Sequence, residues 1–262
     1  MIGKKRKLCR IFRDDSKSVI VPMDHGFTEG PITGIVDMQK IIDKLRRGRA
    51  DAVVVHKGIA RCVDTGRLGL IVHLTGSTKV SFDPNRKVEV CSIEEALRLG
   101  ADAVSVHVNF GSEQEHEMLR TVGKISDECD RFGMPLLAMM YPRGPKIPSE
   151  QNLGLVKHAA RVAAELGADI VKTVYTGSVE SFNEVVKSCP IPVVIAGGPK
   201  TKTERAFLEM VHSAMQAGSA GISIGRNVFQ HPNPTGIVKA LNAIVHRKTD
   251  VEGAMKALGE GS

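Results

Sequence analysis

Ser18-Val19-Ile20-Val21-Pro22-Met23, running straight into Asp24-His25-Gly26, decides how the rest of the chain is read. An apolar run of this length closed by polar residues and a glycine reads as a strand with a loop at its C-terminal end. Beyond a Gly/Pro-rich loop, residues 36–49 place Ile41, Ile42 and Leu45 at helical spacing. Ala52-Val53-Val54-Val55 is then a second strand, ending in His56-Lys57-Gly58. The result is a strand, helix, strand unit.

Working outward, the unit recurs. Residues 69–74 end near Thr75-Gly76-Ser77, and Ser92-Ile93-Glu94-Glu95 is a capping-box opening for a helix up to Leu99. A strand over 103–108 leads to Ser112-Glu113-Gln114-Glu115, a second capping box, and a long helix ending at Phe132-Gly133. Strand 135–140 closes in Tyr141-Pro142-Arg143-Gly144. Helix 156–166 precedes Asp169-Ile170-Val171-Lys172-Thr173-Val174-Tyr175-Thr176-Gly177, and helix 179–186 precedes strand 192–196, which enters Gly197-Gly198-Pro199. The helix opened by Thr201-Lys202-Thr203-Glu204 leads to Gly221-Ile222-Ser223-Ile224 and then Gly225-Arg226. Helices near 237–245 and 251–258 finish the chain.

About eight βα units without a linker predict an α/β protein, a single (β/α)₈ TIM barrel over residues 1–262. A short basic lead-in precedes the barrel and a helical tail follows it. A doubly wound open sheet is the competing arrangement. The barrel is preferred because polar and glycine residues follow nearly every strand, where barrel active sites assemble.

Composition narrows the function. Apolar residues make up 42% of the 262, ample for a core. No run approaches the roughly 20 apolar residues of a membrane span. Met-Ile-Gly-Lys-Lys-Arg-Lys at the start lacks a signal's apolar region, so a cytoplasmic protein with no membrane partner is expected. Cys9, Cys62, Cys91, Cys129 and Cys189 are scattered and read as reduced thiols. A net charge of +7 suits anionic small molecules or nucleic acid, but two Tyr and no Trp offer little for base stacking. Residues 4–7 are therefore read as a solvated basic tail, not a nucleic-acid patch.

Lys172 sits in an otherwise apolar strand. A lysine projecting from a strand end into a partly dry site favours the neutral amine, which can condense with a carbonyl; an edge lysine with its head in water is the plainer alternative. Asp24 and Tyr141 could move the protons that Schiff-base chemistry requires, or serve as a helix cap and an interface aromatic. Gly197, Gly198, Gly225 and Arg226 follow the last two strands, where this fold builds its phosphate pocket. His56, His73 and His107 stand at neighbouring strand ends. They raise a metal alternative, but hydrogen-bonded core histidines are expected, since neither a His-x-His pair nor a His-Glu-x-x-His helix is present. Met139-Met140 reads as core, and Arg46, Arg47 and Arg49 as an outward helix face.

Several of these stretches together resemble the archaeal-type class I fructose-bisphosphate aldolase family: Met23-Asp24-His25-Gly26, His56-Lys57-Gly58, Tyr141-Pro142-Arg143-Gly144, Lys172-Thr173, Ala196-Gly197-Gly198-Pro199-Lys200-Thr201 and Gly225-Arg226-Asn227. The likeness runs in order over nearly the whole chain. It implies that Lys172 forms the Schiff base, Tyr141 donates the proton, and Asp24 accepts it. His25, Gly26, Phe27, Thr28, Pro142, Arg143, Gly197, Gly198, Gly225 and Arg226 are then expected to bind substrate.

Within the family, the likeness is to a transaldolase that moves a three-carbon unit from 6-deoxy-5-ketofructose 1-phosphate to L-aspartate 4-semialdehyde. The product would be 2-amino-3,7-dideoxy-D-threo-hept-6-ulosonate, on a route to 3-dehydroquinate and the aromatic amino acids. The iminium is the electron sink, so no metal or organic cofactor is expected. Ring-like homo-oligomers, decamers included, are implied as well. Fructose-1,6-bisphosphate aldolase is the alternative activity, but such relatives carry Trp-Ser before the acid tyrosine and Glu-His in the first loop. Met139-Met140 and Phe27-Thr28-Glu29 stand there instead. A third possibility joins dihydroxyacetone phosphate to aspartate semialdehyde. Lys57, His107 and Arg143 are the candidates, by position, for holding that semialdehyde's amino and carboxylate groups.

Overall fold

The computed structural model describes residues 2–198 and 201–259, so Pro199 and Lys200 of the glycine-rich motif and both chain ends lie outside the described residues. Eight parallel strands close a barrel: β1 (Ser18–Pro22), β2 (Ala52–His56), β3 (Gly69–His73), β4 (Ala103–Phe110), β5 (Leu136–Pro142), β6 (Ile170–Thr173), β7 (Val193–Ala196) and β8 (Gly221–Ser223). Each pairs with the next in sequence and β8 returns to β1, so the ring has no open edge and the doubly wound alternative is excluded.

The apolar runs are continuous because both faces of each strand are buried. Side chains alternate across a strand, so Ile20, Ala52, Val54, Ile71, Ala103, Leu137, Ile170 and Val194 fill the barrel interior. Val19, Val21, Val53, Val55, Val104 and Val171 face the surrounding helices. Lys172, two residues after Ile170, therefore points inward, and so does Tyr141, two residues after Met139. On neighbouring strands, Lys172 pairs in register with Met139, so Tyr141 sits one inward step higher on β5.

Three local expectations change. The basic lead-in is not a solvated tail. It forms the helix Ile2–Leu8, with Lys4 8% exposed and its Nζ bonded to Asp130 (2.6 Å) and Asp169 (2.9 Å). Lys7 donates to the Ala101 carbonyl (3.0 Å), and Ile11, fully buried, packs among the interior residues with Leu8 and Phe12, stoppering the N-terminal mouth of the barrel.

The second capping box does not form either. Gln114 takes the N-cap position of Glu115–Phe132 without a side-chain bond, and Glu115 instead accepts from the Gly111 amide. At the first box, Ser92 caps the Glu95 amide (3.2 Å), but the Glu95 carboxylate turns away to Lys57 and Arg61. No helix among the described residues is long and apolar enough to cross a membrane.

Candidate active site

At the C-terminal ends of the strands a cavity of about 220 Å³ is lined by Lys172, Asp24 and Tyr141 together with His25, Thr28, Lys87, His107, Met139, Arg143 and Glu150. Gly197, Gly198, Gly225, Arg226 and Asn227 complete the wall. Lys172 is 6% exposed and makes no hydrogen bond or ion pair among the described residues. The edge-lysine alternative is thereby removed. A lysine sheltered this way without a partner has its lone pair available for an electrophile once it gives up a proton.

Asp24 precedes the one-turn helix His25–Glu29, yet its side chain caps nothing. Its oxygens stand 3.7 Å from His25 Nδ1 and 3.9 Å from His73 Nε2. Burial alone would push this carboxyl up, but the positive charges that His73 foremost, then His25, Lys172 and His56, present to it in acid outweigh burial and hold it below the ordinary carboxylate range. It is an anion with open acceptor positions. Burial pushes His73 down to about 4 despite Asp24, and lowers His25 and His56 as well, so the imidazoles around the carboxylate are neutral at pH 7.

His73 Nδ1 meets Ser105 Oγ at 2.8 Å, and His107 Nε2 meets Asn109 Oδ1 at 2.9 Å. Because Asn109 Nδ2 donates to the Asn85 carbonyl (2.8 Å), its oxygen must accept from His107. His73 and His107 are thus the hydrogen-bonded kind, whereas His56 Nδ1 has no hydrogen-bond partner among the described residues. Among the described residues no three His, Cys, Asp or Glu side chains are grouped as a metal site requires.

The glycine loops are shaped by contact. A Cβ on Gly225 would come within 2.6 Å of both His25 and the Pro22 carbonyl, and one on Gly197 within 2.5 Å of Ile224, while Gly198 has φ +60°. Asn227 Nδ2 donates to the Gly197 carbonyl (3.2 Å) and its Oδ1 accepts from the Thr201 amide (3.1 Å), tying the loop after β8 to the loop after β7. Backbone amides and the Arg226 guanidinium can approach an anion there.

Not every expected binding residue reaches this cavity. Pro142 follows Tyr141 and so points to the other face of β5. Gly26 and Phe27 lie on the far side of their short helix, lining a separate apolar pocket with Ile35, Val36 and Ile59; Phe27 packs on His56 at 4.6 Å. Lys57 belongs to that pocket too and pairs with Glu95 (3.0 Å). Conversely, Lys87, Glu29 and Glu150 line the cavity although none of them is among the expected binding residues. Lys87 lies in the excursion between β3 and β4, where no pattern marks which of several lysines turns inward.

A model of DeoC/LacD family aldolases matches residues 18–231. The 2-amino-3,7-dideoxy-D-threo-hept-6-ulosonate synthase 1 of Archaeoglobus fulgidus is 46% identical over 262 residues, covering 99% of this chain and 97% of that protein. The 2-amino-4,5-dihydroxy-6-oxo-7-(phosphonooxy)heptanoate synthase of Streptomyces griseus is 45% identical over 247 residues, covering 93% and 90%. Among solved structures, a Schiff-base-forming fructose-1,6-bisphosphate aldolase matches with a TM-score of 0.88 at 37% identity, covering 93% of this chain and 100% of the other. Barrel, inward lysine and sequence agree, and the chain belongs to the DeoC/LacD family of aldolases.

Proposed function

We propose that the protein is a Schiff-base transaldolase that moves a three-carbon unit from 6-deoxy-5-ketofructose 1-phosphate to L-aspartate 4-semialdehyde, giving 2-amino-3,7-dideoxy-D-threo-hept-6-ulosonate for aromatic amino acid synthesis. The observation that carries this reading is the convergence of Lys172, Asp24 and Tyr141 on one sheltered cavity, in a chain this similar to the Archaeoglobus synthase. A cytoplasmic homo-oligomer completes the reading.

Lys172 Nζ, as the free amine, adds to the C5 ketone of the donor, and loss of water leaves an iminium. Tyr141 supplies the proton that lets the carbinolamine oxygen leave. Asp24 takes the C3 hydroxyl proton, the C3–C4 bond breaks, and its electrons enter the iminium to give an enamine. Hydroxypyruvaldehyde phosphate departs. The enamine attacks the C4 aldehyde of aspartate semialdehyde, whose oxygen recovers a proton, and water then frees product from Lys172. The Gly197–Gly198 and Gly225–Arg226 loops grip the phosphate of the donor.

One observation favours a second reading. The glycine and Arg226 wall is an anion grip in the same cavity as Lys172, and the Streptomyces relative is named for a product with phosphate on C7, next to its C6 ketone. Dihydroxyacetone phosphate would then be the donor and the phosphate would be retained. Both products share their amino-acid carbons and differ at C7. Incubation with aspartate semialdehyde and each donor in turn, with fructose 1,6-bisphosphate alone as the third arm, separates the readings by product mass. Product from the bisphosphate alone would overturn both.

A further inference from the structure

The cavity has a second charged end, away from Arg226. Around the barrel the glycine loops follow β7 and β8, whereas Lys87 and Arg143 come from loops after β3 and β5, across the mouth. Lys87 is held in place. Its ammonium donates to Ser77 Oγ (2.6 Å) and the Pro84 carbonyl (3.0 Å), and the bond from Asn109 to the Asn85 carbonyl fastens the same loop to β4. An ammonium has three N–H groups, so one remains for the cavity that the side chain lines. Arg143 is equally fixed. Nε and Nη2 fork onto Glu150 at 2.7 and 3.1 Å, and the guanidinium lies 5.5 Å from the centre of the Tyr141 ring.

We propose that Lys87, Arg143 and Glu150 form a receptor for the α-amino-acid end of the acceptor aldehyde, with the two cations taking its carboxylate and Glu150 its ammonium. This rests on the acceptor proposed above and holds for either donor. The argument is one of matching charge. A phosphate arriving at this end would meet the Glu150 carboxylate and be repelled, and the Arg143 charge is already half spent on that partner. A zwitterion brings both signs, so opening one ion pair creates two, each charge-assisted. Arg226, by contrast, has no acidic partner among the described residues and suits a bare anion. Of the other carboxylates on the wall, Asp24 belongs to the Lys172 chemistry, and Glu29 acts on His25, which lies against Gly225 at the Arg226 end.

The test compares aspartate semialdehyde with succinate semialdehyde, which keeps the carboxylate and lacks the amine. Glu150→Gln lowers the preference for the amino compound about tenfold or more. Lys87→Met lowers kcat/KM for both semialdehydes alike but spares butanal, which carries no charge. Borohydride trapping of the donor on Lys172 persists in both variants, so failure of the donor assignment shows separately as absence of a trapped adduct in the unaltered enzyme. Calorimetric binding of L-homoserine, the same skeleton with an alcohol for the aldehyde, weakens in Glu150→Gln whichever donor is used. An intact preference in Glu150→Gln, its loss in Glu29→Gln instead, or an equal fall for butanal in Lys87→Met overturns the assignment.

Discussion

Two buried lysines divide the molecule. Lys4, at the N-terminal mouth of the barrel, is 8% exposed and tied to Asp130 and Asp169; Lys172, at the opposite mouth, is 6% exposed and tied to nothing among the described residues. Burial works against the Lys4 ammonium, yet bonds to the two aspartates more than restore it and its pKa is raised. The difference teaches where this fold stores function. One end spends its charges on closing the barrel, and the other leaves charges and hydrogen-bonding atoms open, including His25 Nδ1 and His56 Nδ1, which are buried without a hydrogen-bond partner among the described residues.

The sharpest way to break the comparison is to remove the unpaired amine. Lys172→Ala lowers turnover by roughly 10⁴-fold or more, because the covalent path is lost and not merely weakened. Lys172→Met, close in size, shifts the urea midpoint little, since no hydrogen bond or ion pair is broken and Asp24 keeps its neighbouring histidines. A large loss of stability would mean that Lys172 is a structural lysine after all. Tyr141→Phe is the next largest effect, a fall in turnover of roughly 10²-fold with the borohydride-trapped adduct still formed, as expected for loss of one general acid. Unchanged turnover would remove Tyr141 from the chemistry.

The same contrast explains what could be read in advance. At the Lys172 end, identity and spacing suffice: a strand fixes which residues point inward, so Ile170 and Met139 in the core commit Lys172 and Tyr141 to the cavity. Residues one position off that alternation, such as Pro142, or on the far side of a short helix, such as Gly26 and Phe27, share a motif with the site without lining it. At the Lys4 end the sequence misleads, because the partners lie 126 and 165 positions away and nothing local distinguishes a buried basic turn from a solvated one. Lys87 was hidden for the same reason. Its orientation is set by Ser77, Pro84 and a strand of its own barrel, not by periodicity.

Removing Lys4 tests the structural half. Lys4→Met costs about 1–2 kcal/mol, since the Asp130 partner is 67% exposed and counts for little, whereas Asp169 is mostly covered and loses a charge-assisted bond. Asp169 also accepts from the Leu136 amide (2.8 Å), so the effect is local to the strand ends that the helix covers. Turnover stays within a factor of two. A variant as stable as the parent by urea unfolding would mean the helix is held by Ile11 and Leu8 alone.

Acid offers the mildest test, and it acts at the functional end. His73 is 3% exposed and pushed from 6.5 down to about 4 by burial, so the folded chain keeps it neutral while the unfolded chain binds a proton first as pH falls. Stability is therefore full above pH 6.5, declines as pH drops toward 4, and changes no further from this group below that. At pH 5.5 the loss assignable to His73 is on the order of 1 kcal/mol. Asp24 adds to the loss only at lower pH, because its carboxyl is held below the ordinary range and must be protonated before that contribution disappears. His73→Asn keeps a polar group for Ser105 but cannot titrate, so the shift in urea midpoint between pH 7.5 and 5.5 shrinks relative to the parent. It does not vanish, since His25, His56 and His107 are half-buried and desolvation lowers them in the same direction. The equivalent comparison at the other mouth, in Lys4→Met, leaves that shift untouched, as the Lys4 pKa is raised and the ammonium that the variant removes keeps its charge throughout this window. Should both variants alter it equally, the acid response would belong to the barrel as a whole and not to the open end.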